Sequence, residues 1–171
     1  MGQVYIIIFF VILLPRLLFV FIFPDTGGDY EIYTTVAKNI LKGCGVSLSD
    51  PLKEICLPHF GGNHGPGYPL FISLIWYIFG ENDVAVRLFQ TFIYATCCLY
   101  LLLSINKLLK DRIAIIIIGF LLSFSPLLIA WPRFMQTETL SIAFSIFLLA
   151  EIILSLHEKK IRILPISLAL V

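Results

Sequence analysis

The sequence predicts an all-α polytopic membrane protein: about four complete transmembrane helices, the start of a fifth, and a long outer loop carrying juxtamembrane helices. Three observations lead there. Hydrophobic residues make up 59% of the 171, charged residues only 13%, and the mean hydropathy is +0.97, values outside the range of ordinary soluble domains. The apolar residues fall in runs near the roughly 20 needed to cross a hydrocarbon core of about 30 Å. The basic residues sit in short clusters between those runs, with a formal net charge of +1. No broad basic surface is present, so the composition gives no support to nucleic-acid binding.

The four long runs are Val4 to Phe23, Val84 to Ile105, Ile113 to Trp131 and Leu140 to Leu156. A fifth begins at Ile163 and stops with the sequence at Val171. The chain therefore reads as the amino-terminal piece of a larger membrane protein. The first run has no basic residue before it, and "FVFIFPDTG" offers no small-residue cleavage site, so it reads as a retained anchor and not a secretory signal. This organisation divides the chain into residues 1–23, the first transmembrane helix; 24–83, an extracytoplasmic loop with juxtamembrane helices; and 84–171, helices two to four and the start of a fifth.

Orientation follows from the basic clusters "NKLLKDR" at 106–112 and "HEKKIR" at 157–162. Lysine and arginine in short loops favour the cytoplasmic side. One passage out and back must separate two cytoplasmic clusters, which puts "WPRFMQTE" at 131–138 on the outer face. With a cytoplasmic start, the first helix exits and residues 24–83 stay outside. The apolar run within 67–80 then lies on the membrane instead of crossing it, as its length of about 13 residues also suggests. An outside start with five crossings is the alternative, since nothing basic flanks the first helix.

The outer segment has internal order. From Asp29, "DYEIYTTVAKNILKG" places Tyr30, Tyr33, Ala37, Ile40 and Leu41 on one helical stripe, opposite Glu31, Lys38 and Lys42, and Gly43 supplies a stop. "GVSLSDP" and "LPHFGGNHGPG" are rich in turn formers. Cys44 and Cys56 share this segment and are candidates for a disulfide, whereas Cys97 and Cys98 fall in an apolar run.

Several polar residues admit two readings. Asp29 is an N-cap or a carboxylate placed as a general base. Glu138 either complements the positive end of the helix that begins near Thr137 or belongs to a site, because the topology brings it to the same face as Asp29. Arg87 either snorkels to the interface or binds a lipid phosphate, and Arg16, beside Pro15 in mid-span, needs an acid from elsewhere or a shifted span. His59 and His64 flank a glycine-rich turn. They are weak metal candidates without a closed ligand set, so no metal is expected, and His64 is either a headgroup contact or part of a polar turn.

In order along the chain, "GDYEIYTTVAKNILKGCGV", "HGPGYPLFISLIWYIFGENDVAVRLFQ" and "SPLLIAWPRFMQTETLSIAF" resemble the amino-terminal part of GT-C glycosyltransferases. The nearest branch is that of protein O-mannosyltransferases, lipid A aminoarabinose transferases and related bacterial membrane transferases. The resemblance implies a plasma-membrane enzyme, of bacterial type, that moves a sugar from a polyprenyl-phosphate carrier to an acceptor on the outer face, with no cofactor. It maps the catalytic base onto Asp29, with Glu31 nearby, and a second outer acid onto Glu138, which would orient acceptor or base. A proline-rich juxtamembrane element corresponds to Gly65, Pro66, Gly67, Tyr68 and Pro69. Gly65 stands where a proline is common, and Tyr30 separates Asp29 from Glu31 where paired acids are common. Inversion at the anomeric carbon needs one base and cations to hold the departing phosphate; Arg87, Arg133 and His64 are the candidates. Membrane lipids, the lipid-linked sugar and further helices or a subunit completing the bundle are the implied partners. The competing expectation is a non-catalytic membrane protein, an accessory subunit or the remnant of a truncated gene. A transporter is disfavoured because the runs are so uniformly apolar.

Overall fold

A computed structural model of the protein describes residues 2–24, 27–49 and 65–159. Among them the chain forms α1 (Gly2–Ile22), α2 (Tyr30–Leu41), α3 (Gly67–Phe79), α4 (Asp83–Leu109), α5 (Arg112–Phe124), α6 (Pro126–Ala130) and α7 (Glu138–Glu158), with a 3₁₀ turn at Trp131–Arg133 before α7. Three helices are long and apolar enough to cross a membrane, within Gln3–Ile22, Asp83–Leu109 and Glu138–Glu158, and α5 with α6 makes a fourth if the bent pair is one span. The expected fifth run at Ile163 lies outside the described residues.

Helix ends follow local chemistry. Asn82 accepts a hydrogen bond from the Ala85 amide (3.1 Å) to start α4, and Asp111 accepts from the amides of Ile113 and Ala114 to start α5, as capping residues do. Helices α4 and α7 close on Lys110 and Lys159, both left-handed with φ of 54° and 51°. Helix α4 runs further than the apolar pattern alone suggests, because these polar caps lie beyond its apolar stretch.

The third expected span, Ile113 to Trp131, is not one straight helix. It bends by 55° between Phe124 and Pro126. Proline pushes the residue before it out of the helical region, and Ser125 sits at φ −64°, ψ 118°. Proline also has no amide hydrogen, so the Leu122 carbonyl lacks its usual donor four residues on.

Arg16 supplies the missing donors. It is 0% exposed and donates from Nη2 to the Leu122 carbonyl at 2.6 Å and from Nη1 to the Ser123 carbonyl at 3.3 Å. Its guanidinium also stacks over the Tyr94 ring, 4.5 Å from the centroid. The expectation of an acidic partner or a shifted span is therefore replaced. The cation in mid-span is matched by carbonyls that the break in the neighbouring helix leaves open, at a helix C-terminus where positive charge is favoured.

Two cores result. One lies among the long helices, where Ile12 of α1, Ala95, Cys98 and Leu102 of α4, Ile115 of α5 and Ala143 of α7 are buried together. Helices α4 and α7 form the most extensive pair, and small residues such as Ala95, Ala143 and Ala150 let them approach closely. Within this pair Tyr100 donates a hydrogen bond to the buried Glu151. The second core caps one end of the bundle and joins Tyr33 and Ala37 of α2, Tyr68, Ile72 and Trp76 of α3, Val86 near the start of α4, Met135, and Leu140 near the start of α7. Since α4 and α7 both begin there, they run in the same direction, with α5 and α6 returning between them.

The 13 residues of α3 reach about 20 Å at roughly 1.5 Å per residue, short of a bilayer core. Tyr68, Ile72, Ile75 and Trp76 are buried, while Leu74, Tyr77 and Ile78 are 57%, 80% and 60% exposed. Helix α3 is thus apolar on both faces, buried on one and too short to span a bilayer. In α2 the buried face is Tyr33, Thr34, Val36, Ala37 and Asn39, rotated from the expected stripe so that Leu41 is exposed. Asn39 explains the rotation: its Nδ2 donates to the carbonyls of Ser47 and Ser49 at 2.7 and 2.8 Å and so folds the following loop against the helix.

Candidate functional site at the bundle end

Three of the ionisable residues singled out in the sequence, Asp29, Arg87 and Glu138, act on the tyrosines of the second core. Its centre is a pair of tyrosines, Tyr33 of α2 and Tyr68 of α3, edge to face with ring centroids 5.1 Å apart and each 4% exposed. Burial raises the Tyr33 phenol above its ordinary value; a hydrogen bond with Thr137 opposes this, and the carboxylates of Asp29 and Glu138 push it further up. Two acids far apart in the chain thus act on one hydroxyl, which stays protonated near neutral pH.

Tyr68 is shifted upward for similar reasons. Burial leads, the Arg87 cation opposes it, and Tyr33, Glu138 and Asp83 add to it. Tyr30 donates to Asp83 Oδ2 at 2.7 Å, and burial, then that hydrogen bond and the Asp83 charge, raise its phenol while Arg87 lowers it. Asp29 and Glu138 thus act on Tyr33, Glu138, Asp83 and Arg87 on Tyr68, and Asp83 and Arg87 on Tyr30, so the three phenols link charged groups of separate segments.

Asp29 stands at the N-cap position of α2, but its side chain makes no capping hydrogen bond. The structural half of its two readings is thus only positional. The loop before it is fitted to its surroundings at Gly27, which has φ +78°, and where a β-carbon would come within 2.6 Å of Gln136 Nε2 and 2.8 Å of its Cδ. Gly27→Ala is expected to cost about 1–2 kcal/mol from the left-handed backbone alone, plus displacement of Gln136. Gly43→Ala, at φ +82° with open space around it, carries only the backbone cost. The comparison of thermal midpoints for the two variants checks this.

Glu138 opens α7, where a carboxylate complements the helix dipole, so the bland account of it holds as far as it goes. Its Oε2 is buried and has no hydrogen-bond partner among the described residues, a costly state for a carboxylate. Arg87 is 5% exposed. The side chain therefore does not snorkel out into solvent, and its charge acts on the phenols of both Tyr30 and Tyr68.

The remaining candidates divide. Glu31 is exposed on the outer side of α2, away from the tyrosine pair. Arg133 lies in the 3₁₀ turn with its guanidinium 4.4 Å from the Phe134 ring centroid. His59, His64 and Cys56 lie outside the described residues. Cys44 is disulfide-bonded, while Cys97 and Cys98 in α4 are free thiols.

Sequence reasoning passed over Gln90. It is 0% exposed, accepts from the Tyr68 hydroxyl at 2.9 Å, and donates to the carbonyls of Pro132 and Phe134 at 3.0 and 2.7 Å. One amide thus ties α3, α4 and the strap before α7 together, with both ends satisfied. The signal was a lone glutamine in an apolar run, which is expensive unless paired. Gln90→Met keeps the volume and removes all three bonds; at about 1 kcal/mol each, with stranded carbonyls costing more, a loss of roughly 3 kcal/mol is expected. Hydrogen exchange should then rise in residues 133–136 before it rises in the middle of α4.

A bundle of membrane-length helices, capped at one end by a half-enclosed cluster of acids, tyrosines and an arginine, defines a helical integral-membrane protein with a polar site beside the bilayer. Residues 63–171 match the family model described as dolichyl-phosphate-mannose-protein mannosyltransferase, and the chain belongs to that family of membrane glycosyltransferases. The matched region contains Arg87, Arg133 and Glu138; Asp29 and α2 precede it. Comparison with curated proteins and with solved structures found no match.

Proposed function

We propose that the chain forms the acidic part of the active site of a glycosyltransferase that moves a sugar from a polyprenyl-phosphate carrier to an acceptor hydroxyl at the outer membrane face. The observation that carries this reading is that Asp29 and Glu138 both act on Tyr33, whose ring packs 5.1 Å from that of Tyr68, on which Glu138 and Arg87 act. Family membership supports the reaction class.

In this reading Asp29 accepts the proton of the acceptor hydroxyl as its oxygen bonds to the anomeric carbon. The bond from that carbon to the phosphate oxygen breaks, and the carrier leaves as a polyprenyl phosphate. Arg87, with Arg133 and His64 as further cations, offsets the charge that develops on the departing group. Glu138, whose Oε2 is buried without a donor among the described residues, accepts a hydrogen bond from the acceptor or orients it. Tyr33, kept protonated by burial and by the surrounding carboxylates, acts as a donor in the same space, while Tyr68 donates its proton to Gln90 and holds α3 in place. Glu31, on the exposed side of α2, takes at most an outer role.

Two features support the outer side for this site. Lys107, Lys110 and Arg112 lie at the opposite end of the bundle, where short basic loops mark the cytoplasm. The disulfide at Cys44, in the loop after α2, fits an oxidising compartment.

The direct test gives the complete natural chain, in membranes, a polyprenyl-phosphate-linked radiolabelled sugar and follows label into the acceptor fraction. Transfer above membranes without the protein supports the proposal. Unchanged label on the carrier across sugars and membrane acceptors would instead favour the non-catalytic, accessory reading.

A further inference from the structure

At the end of the bundle remote from this site, the starts of α1 and α5 and the end of α4 surround a half-open cleft of about 130 Å³ lined by Val4, Tyr5, Asn106, Arg112, Ile115 and Ile116. Its body is aliphatic: Ile115 is 3% exposed, and Val4 and Ile116 flank the opening. Tyr5, Asn106 and Arg112 bring a phenol, an amide and a guanidinium to it. Arg112 makes no ion pair among the described residues, and the neighbouring Asp111 is engaged in capping α5. Lys107 and Lys110, both exposed, add positive charge on the same turn.

The cleft is too small for a helix, which is about 10–12 Å across, but has room for a few methylenes. It lies where helix ends meet the headgroup layer. We infer that it binds one anionic phospholipid, with the phosphate held by Arg112, Asn106 and Tyr5 and the upper part of an acyl chain against Val4, Ile115 and Ile116. Basic pockets between membrane helices on the cytoplasmic side recognise such headgroups, and the guanidinium is the side chain suited to a phosphate. The inference is independent of the proposed reaction.

Native mass spectrometry of the complete chain, released from detergent containing equal phosphatidylglycerol and phosphatidylcholine, reads the site directly. Phosphatidylglycerol should be retained about fivefold over phosphatidylcholine, the factor that corresponds to roughly 1 kcal/mol per basic residue near a membrane surface. Arg112→Gln should remove most of that preference, and Lys107→Gln or Lys110→Gln should change it less. Ile116→Trp, at an exposed position on the rim, should lower retention of both lipids by filling the cleft. Absence of a preference, equal losses for the three basic substitutions, or unchanged retention in Ile116→Trp would each overturn the assignment.

Discussion

Asp29→Asn in the complete natural chain should lower sugar transfer by about 10²–10⁴-fold, the range that general-base catalysis contributes, while leaving the amount of protein in the membrane unchanged. The substitution keeps the shape of the side chain and removes its basicity. Stability should hardly move, because the Asp29 carboxylate makes no capping bond to α2 and asparagine is an equally good N-cap. Glu31→Gln is the matched control. It removes a carboxylate two residues away on the exposed side of α2 and should cost less than about threefold. An Asp29→Asn enzyme with normal turnover would remove Asp29 from the mechanism, and equal losses in the two variants would mean that the charge of the helix start matters more than a particular base.

The largest structural effect is expected at Arg16. Arg16→Met keeps an apolar side chain of similar length and leaves the carbonyls of Leu122 and Ser123 without their donors. Hydrogen bonds to a charged group are worth about 1.5–3 kcal/mol each, so a loss of roughly 3–5 kcal/mol is expected, read as a fall in the thermal midpoint of the detergent-solubilised protein. Replacing a buried charge with an apolar residue sometimes stabilises a protein. Here the carbonyls remain buried after the replacement, which decides the sign.

Pro126→Ala tests that reasoning. It restores an amide hydrogen four residues after Leu122, so the Leu122 carbonyl no longer depends on Arg16. In the background of Pro126→Ala, the cost of Arg16→Met should shrink by about 1–2 kcal/mol in a double-mutant cycle. Additive effects would show that Arg16 and the helix break are energetically separate, whatever their geometry.

Much of the architecture was legible in the sequence because it depends on local quantities. The long apolar runs set membrane-length helices. The 13 residues from Gly67 to Phe79 were too few to span, and Gly43 marked the end of α2 by chemistry that acts over a few residues; the caps at Asn82 and Asp111 came from the structure. Pro126 was visible as well, but the bend it causes was not. A proline inside an apolar run is compatible with a straight, kinked or broken helix, and the outcome depends on what satisfies the freed carbonyl.

Arg16, Arg87 and Gln90 mark where local reasoning ended. Each is a polar residue in an apolar segment, which indicates a cost without naming what offsets it. The offsetting groups are chiefly backbone carbonyls of another helix for Arg16, and a tyrosine together with the strap before α7 for Gln90; Arg87 is buried beside the second core. Apart from the Ile12 carbonyl that Arg16 also reaches within α1, these partners are distant in the chain.

The sequence by itself determined a helical membrane protein and the order of its segments, because apolar run length and charge placement act locally against a solvent with only two phases. Only the tertiary structure decided that Tyr33 of α2 and Tyr68 of α3 are buried together with Val86 and Leu140 near the starts of α4 and α7, because that packing runs through contacts between residues that no periodicity relates.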